Sequence, residues 1–168
     1  DPTRLFPDSL AASVLAGTGV EPGDLPAVAG TTATIDLWPG RSPSVAIPAT
    51  QDSSLFTVGG LAQDTGTEGP SAVRPDPSSL FHHLNGAAWN AGLEIGVAPG
   101  AVLDGPIHVR VHAGGGAMLP RLRVRVGDGA TATIVEDHCG GSDGTAVVGT
   151  TEVHAGAGSH VRHVILQT

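Results

Sequence analysis

Eight histidines and one cysteine are the side chains of this sequence best suited to metal or thiol chemistry. The tightest group is Asp137, His138 and Cys139. Three consecutive residues do not readily face one ion, and neither a Cys-x-x-Cys spacing nor a helical His pair accompanies them. The expectation is a structural or solvated loop, with a redox-sensitive thiol as the remaining chemistry if that loop leaves Cys139 accessible. His108 and His112 fall on one face of an alternating segment, with the cation Arg110 between them. They would meet His138, His154 or His160 if neighbouring strands stacked in register. Arg110 opposes a tight metal site there unless an acid compensates, so a solvated or partner-facing sheet is expected. His82 and His83 read as surface residues of a helix.

Arg121, Arg123 and Arg125 make a one-sided cationic stripe. Its expected partners are acids on adjacent strands, such as Glu136 or Glu152, and a docking surface is the other reading. Gly127–Gly129 is too short for a phosphate loop, and the sequence contains no Lys for a Walker motif. No Gly-x-Ser-x-Gly elbow presents a serine. The chain is therefore not expected to be an enzyme, and no catalytic, metal or cofactor-binding residue is assigned.

The elements that position these residues are legible in part. Three segments repeat one plan: VAPGAVLDGPIHVRV from Val97, VGDGATATIVED from Val126 and AGAGSHVRHVIL from Ala155. Each is a glycine turn followed by an alternating strand, and Gly100, Gly129 and Gly158 recur every 29 residues. Such spacing describes stacked β-coils, each burying its apolar face against its neighbours. Ile107, Val109 and Val111 alternate with His108, Arg110 and His112, and Leu122, Val124 and Val126 with the arginine stripe, so each strand has one core face. Residues 135–150, with the Gly-Gly-Ser-Asp-Gly centre, read as an excursion. Upstream, a short helix is expected between Asp8 and Gly17, and a strand pair, TTATIDLW and SVAI, is joined by a turn at Pro39–Gly40. A short apolar piece follows from Ser54, then a Pro-rich linker over 63–78. A helix from Ser78 to Gly92 is expected, with Leu80 and Leu84 on one face and Phe81, Leu84 and Ala88 on another.

Composition narrows the partners. Aromatic residues are 3% and glycines number 25, which favours thin stacked strands over a bulky helical core. A net charge of −8, with every positive side chain an Arg, gives no basic patch for nucleic acid. No apolar run is long enough for a membrane span. The single cysteine and the lack of a signal-peptide pattern are expected of a cytoplasmic protein.

The region from Leu80 to Thr168 resembles the SufB/SufD family of iron–sulfur cluster assembly scaffolds, SufD more than SufB. The residues that carry the likeness are Phe81, Leu84, Asn85 and Ala88, then Gly92, Ile95, Val97, Pro99 and Gly100. Pro106, Ile107, Leu119, Pro120 and Arg121 follow, then Ala132, Ile134, Val135 and Glu136. Thr151, Glu152 and Val153 come next, and His160, Val161, His163, Leu166 and Gln167 close the series. The resemblance implies an all-β chain: a partial right-handed parallel β-helix over 79–168, preceded by short helical and irregular elements over 1–78. It implies a non-catalytic scaffold that works with a SufB-like protein and a SufC-like ATPase through regions outside this fragment, or pairs as a homodimer. Iron or an iron–sulfur cluster would belong to the full assembly. The alternative is a β-helical carbohydrate-binding or carbohydrate-modifying protein, for which Asp128, Asp137 and Glu152 would supply the acids.

Overall fold

The computed structural model describes residues 28–61, 79–114, 116–140 and 145–167. The expected N-terminal helix and the Pro-rich linker lie outside them. Three sheets account for almost all regular structure. β1 (Ala33–Leu37), β2 (Ser44–Ala46), β5 (Ile107–His112), β8 (Thr131–Cys139) and β11 (His160–Gln167) form a five-stranded sheet in the order β11-β8-β5-β1-β2. β3 (Phe56–Gly60), β4 (Ala91–Val97), β7 (Pro120–Val126) and β10 (Thr150–Ala155) form a second sheet in the order β10-β7-β4-β3. β6 (Ala117–Met118) pairs with β9 (Ala146–Val147). From β4 onward the chain visits the three sheets in strict rotation, and every pairing among those strands is parallel. Only the two outermost N-terminal partners, β2 on β1 and β3 on β4, run antiparallel.

The repeat sets the register. Leu93 pairs with Leu122 and Ala117 with Ala146, each 29 residues on. Between them the offset drops, because Ile107 pairs with Ile134. The two extra residues sit around Asp104 and Gly105, where the coil meets the N-terminal segment. Thr32 Oγ1 donates to the Gly105 carbonyl at 2.7 Å, and a Cβ on Gly105 would stand 2.4 Å from the Gly30 carbonyl oxygen. The later coil regains both residues before β9.

The glycine turns ahead of β5, β8 and β11 share one geometry and bond to one another. Ala101 N–H bonds to Ala98 C=O, Ala130 to Gly127 and Ser159 to Gly156, so a glycine stands third in each four-residue turn. Gly100, Gly129 and Gly158 hold φ of 69°, 67° and 67°, where an L side chain would cost about 1–2 kcal/mol. Gly100 N–H then donates to Asp128 C=O and Gly129 N–H to Ala157 C=O, tying successive turns together.

Burial alternates along the strands. Ile107, Val109 and Val111 are fully buried, as are Leu122, Val124, Leu93, Ile95, Ile35 and Leu37, and these meet in one apolar core. β1 joins this core by pairing in parallel with β5, some seventy residues away in sequence: Ile35 with Val109, Leu37 with Val111.

The helix is shorter than expected, because Ala91 and Gly92 already belong to β4. α1 (Leu80–Ala88) is capped by Ser79, whose Oγ accepts from His82 N–H. Its buried residue is not one of the apolar set but Asn85, while Leu80 and Phe81 are exposed. Asn85 Nδ2 donates to the carbonyls of Pro120 and Val148, both at 2.9 Å. The helix is therefore fixed to two successive coils by an amide that satisfies backbone acceptors, a role hydrophobic periodicity does not report. Among the described residues no helix is long and apolar enough to cross a membrane.

Candidate functional site

Three polar clusters gather the residues that the sequence offers for chemistry, two on the outer faces of different sheets and one between the sheets. The first occupies the outer face of the five-stranded sheet. Because β5 buries Ile107, Val109 and Val111, its alternate residues His108, Arg110 and His112 point the other way. Their partners are carboxylates, not other histidines. Arg110 Nη2 lies 2.7 Å from Asp36 Oδ2, and His112 Nε2 lies 2.5 Å from Asp36 Oδ1. His108 Nε2 meets Asp137 Oδ2 at 3.3 Å. The His112 ring stacks on Trp38, with centroids 4.0 Å apart and planes 6° from parallel. Burial alone would raise the Asp36 pKa, but the hydrogen bonds from His112 and Arg110, and their charges, outweigh it and hold the carboxyl below its ordinary range.

Asp137, His138 and Cys139 do not form a loop. They complete β8, because β5 pairs with them residue for residue: Arg110 with Asp137, Val111 with His138, His112 with Cys139. Turn chemistry begins only at Gly140, whose φ is 75°. Strand alternation therefore sends Asp137 and Cys139 to the outer face and His138 to the other. Cys139 is half-buried and its thiol leans on the Asp137 carbonyl at 3.5 Å.

The second cluster is internal. β8 buries Ala132, Ile134 and then Glu136 on one face, so a carboxylate takes the row begun by Ile35 and Val109. Glu136 Oε1 lies 2.8 Å from His138 Nε2. Its Oε2 accepts from Thr151 Oγ1 at 2.8 Å and meets His163 Nε2 at 3.0 Å. Desolvation pushes this carboxyl up, yet the bonds from His138, Thr151 and His163 prevail and its pKa falls below 4.5. Glu136 is thus an interior anchor and not a partner of the arginine stripe.

The third cluster is that stripe. Arg121 Nη2 bonds Glu152 Oε1 at 2.8 Å, and Arg123 Nε stands 3.6 Å from Glu152 Oε2. Arg125 pairs with Glu94 at 2.9 Å on an open surface. Glu152 was legible as a partner; Glu94 was not, because the pairing of β4 with β7 decides it.

The remaining candidates stay apart. His154 sits on β10 beside Glu152 at 4.0 Å, and His160 begins β11 in an exposed position. His83 is exposed on α1 and His82 half-buried. Asp128 spends its Oδ1 on the Ala157 N–H of the next turn, so Asp128, Asp137 and Glu152 occupy a turn and two different sheets. Among the described residues no three His, Cys, Asp or Glu side chains are arranged to hold a metal ion. Sequence reasoning missed Asp36, Trp38, Glu94 and Thr151 as site residues. The outward position of Asp36 between Ile35 and Leu37 was the available signal.

No protein-family model, curated protein or solved structure matches this chain.

Proposed function

We propose that the rotating parallel strands form a partial right-handed β-helix and that the chain is a non-catalytic scaffold subunit of a cytoplasmic SUF-type iron–sulfur cluster assembly system. It would act with a SufB-like scaffold and a SufC-like ATPase, the cluster or iron belonging to the assembled complex. One observation supports this reading above the others. The residues that carry the family likeness occupy the points that the stacked coils depend on. Asn85 ties α1 to two coils, and Gly92 lies where a Cβ would stand 2.5 Å from the Trp89 ring. Gly100 turns the chain, Ile95 and Ile134 fill the core, and Glu136 with His163 forms the interior polar anchor. The polar residues outside that anchor are largely consumed in ion pairs between neighbouring strands, an arrangement that suits a rigid support.

The test is co-expression of this protein with a SufB-like scaffold and a SufC-like ATPase, followed by affinity capture and size-exclusion chromatography. A co-eluting complex that contains both partners is the expected result. Recovery of the protein without either partner overturns the assignment.

A further inference from the structure

β7 carries more positive charge outward than its neighbours offset. With Leu122, Val124 and Val126 buried, Arg121, Arg123 and Arg125 face the outer side of the four-stranded sheet. Two carboxylates meet these three guanidiniums. Glu152 Oε1 accepts from Arg121 Nη2, and Glu94 Oε1 accepts from Arg125 Nε. Arg123 is left over. Its side chain is only 13% exposed, yet its buried Nε has no hydrogen-bond partner and stands 3.6 Å from Glu152 Oε2.

A second observation lies one strand away. His154 Nε2 is also buried without a hydrogen-bond partner, 4.0 Å from the same Glu152 oxygen. Arg123 and His154 therefore gather around one atom that neither of them bonds. His154 is the register partner of Arg125, and both line an open groove of about 540 Å³. Gly96, the third residue of that row, adds no side chain to fill it. Arg125 is 55% exposed, and Glu94 occupies only its Nε. Donors left unmade in a buried setting are costly, and guanidinium forks match the oxygens of carboxylates and phosphates.

We propose that Arg123, Arg125 and His154 form a receptor for a phosphate-type oxyanion, with His154 in the form that donates from Nε2. This inference is independent of the scaffold reading. The donors come from two places along β7 and one on β10, so they call for an acceptor with oxygens in more than one plane. A tetrahedral phosphate supplies that, and a planar carboxylate with two oxygens does not. The nearby acids are already engaged: Glu94 by Arg125, Glu152 by Arg121, and Asp128 Oδ1 by the Ala157 N–H. One positive charge is left for the ligand to offset.

The chain is titrated with sodium phosphate at low ionic strength and neutral pH, and the arginine Nε–H and histidine ring signals are followed by NMR. Sodium acetate, and sodium chloride at matched ionic strength, are titrated in parallel. Phosphate should give saturating shifts at Arg123, Arg125 and His154 that chloride does not reproduce, with acetate about tenfold weaker. Arg125→Gln, at an exposed position, should weaken phosphate binding about tenfold. Arg162→Gln, exposed on β11, should leave it unchanged. Circular dichroism establishes that both variants are folded, and the comparison of anions on the wild-type chain decides if Arg125→Gln is not. Shifts that chloride matches, acetate binding as tight as phosphate, or a folded Arg125→Gln chain with wild-type affinity each overturn the proposal.

Discussion

Replacing Asn85 with Ala is the sharpest probe of how the helix is held. The side chain is fully buried, and its Nδ2 serves two carbonyls from successive coils, Pro120 and Val148, at 2.9 Å each. Each hydrogen bond contributes about 1 kcal/mol net, and stripping a buried acceptor of its donor costs about 1–3 kcal/mol more. Against this, Asn85 Oδ1 is buried without a partner, so its removal returns about 1 kcal/mol. With the Pro120 carbonyl as the buried acceptor and the Val148 carbonyl only part-buried, the balance is a loss of about 2–4 kcal/mol from a domain stability of about 5–15 kcal/mol. With a urea slope of about 2 kcal/mol per molar, the midpoint should fall by about 1–2 M. Asn85→Asp should lose more than Asn85→Ala, because carboxylate oxygens would then face both carbonyls. Phe81→Ala, at a 55% exposed position on the same helix, should move the midpoint by less than about 0.3 M. Equal shifts for Asn85→Ala and Phe81→Ala in urea unfolding followed by circular dichroism would refute the reasoning.

Two further measurements follow from the buried carboxylates. Because the Glu136 pKa is lowered from 4.5 in the folded state, its contribution is present above that value and is lost as pH falls through the folded pKa. Glu136→Gln should therefore flatten the loss of stability below about pH 4.5, while lowering stability at neutral pH; an unchanged acid limb in pH-dependent thermal unfolding would count against the anchor. In the arginine stripe, Glu152→Gln leaves Arg121 and Arg123 without their buried counter-charge and should cost about 3 kcal/mol. Glu94→Gln breaks an exposed pair with Arg125 and should cost under about 0.5 kcal/mol by the same urea assay. Indistinguishable effects of the two would show that burial does not set their difference.

Much of the strand and turn pattern was legible because its signals are local. The turn glycines at 100, 129 and 158 and the alternation of Ile107, Val109 and Val111 each depend on a few neighbouring residues, and all keep their expected places. The strand pair at Pro39–Gly40 likewise appears as β1 and β2. Expectations failed where a distant strand decides. Asp137, His138 and Cys139 looked like a loop because Gly140 follows them, yet β5 supplies their backbone partners and extends β8. The helix looked amphipathic around Phe81 and Leu84, yet the carbonyls of Pro120 and Val148 drew Asn85 inward.

The sequence by itself determined which residues face inward on β5 and β7 and how often the chain turns, since strand alternation and a left-handed glycine are properties of a short stretch of backbone. Only the tertiary structure decided which charges meet. Asp36 reaches His112 across seventy-odd residues because β1 docks beside β5, and Glu136 is held in the interior because Thr151 of β10 and His163 of β11 converge on it beside His138 of its own strand. The energy of such contacts depends on proximity and on exclusion from water, and neither exists until the strands are stacked.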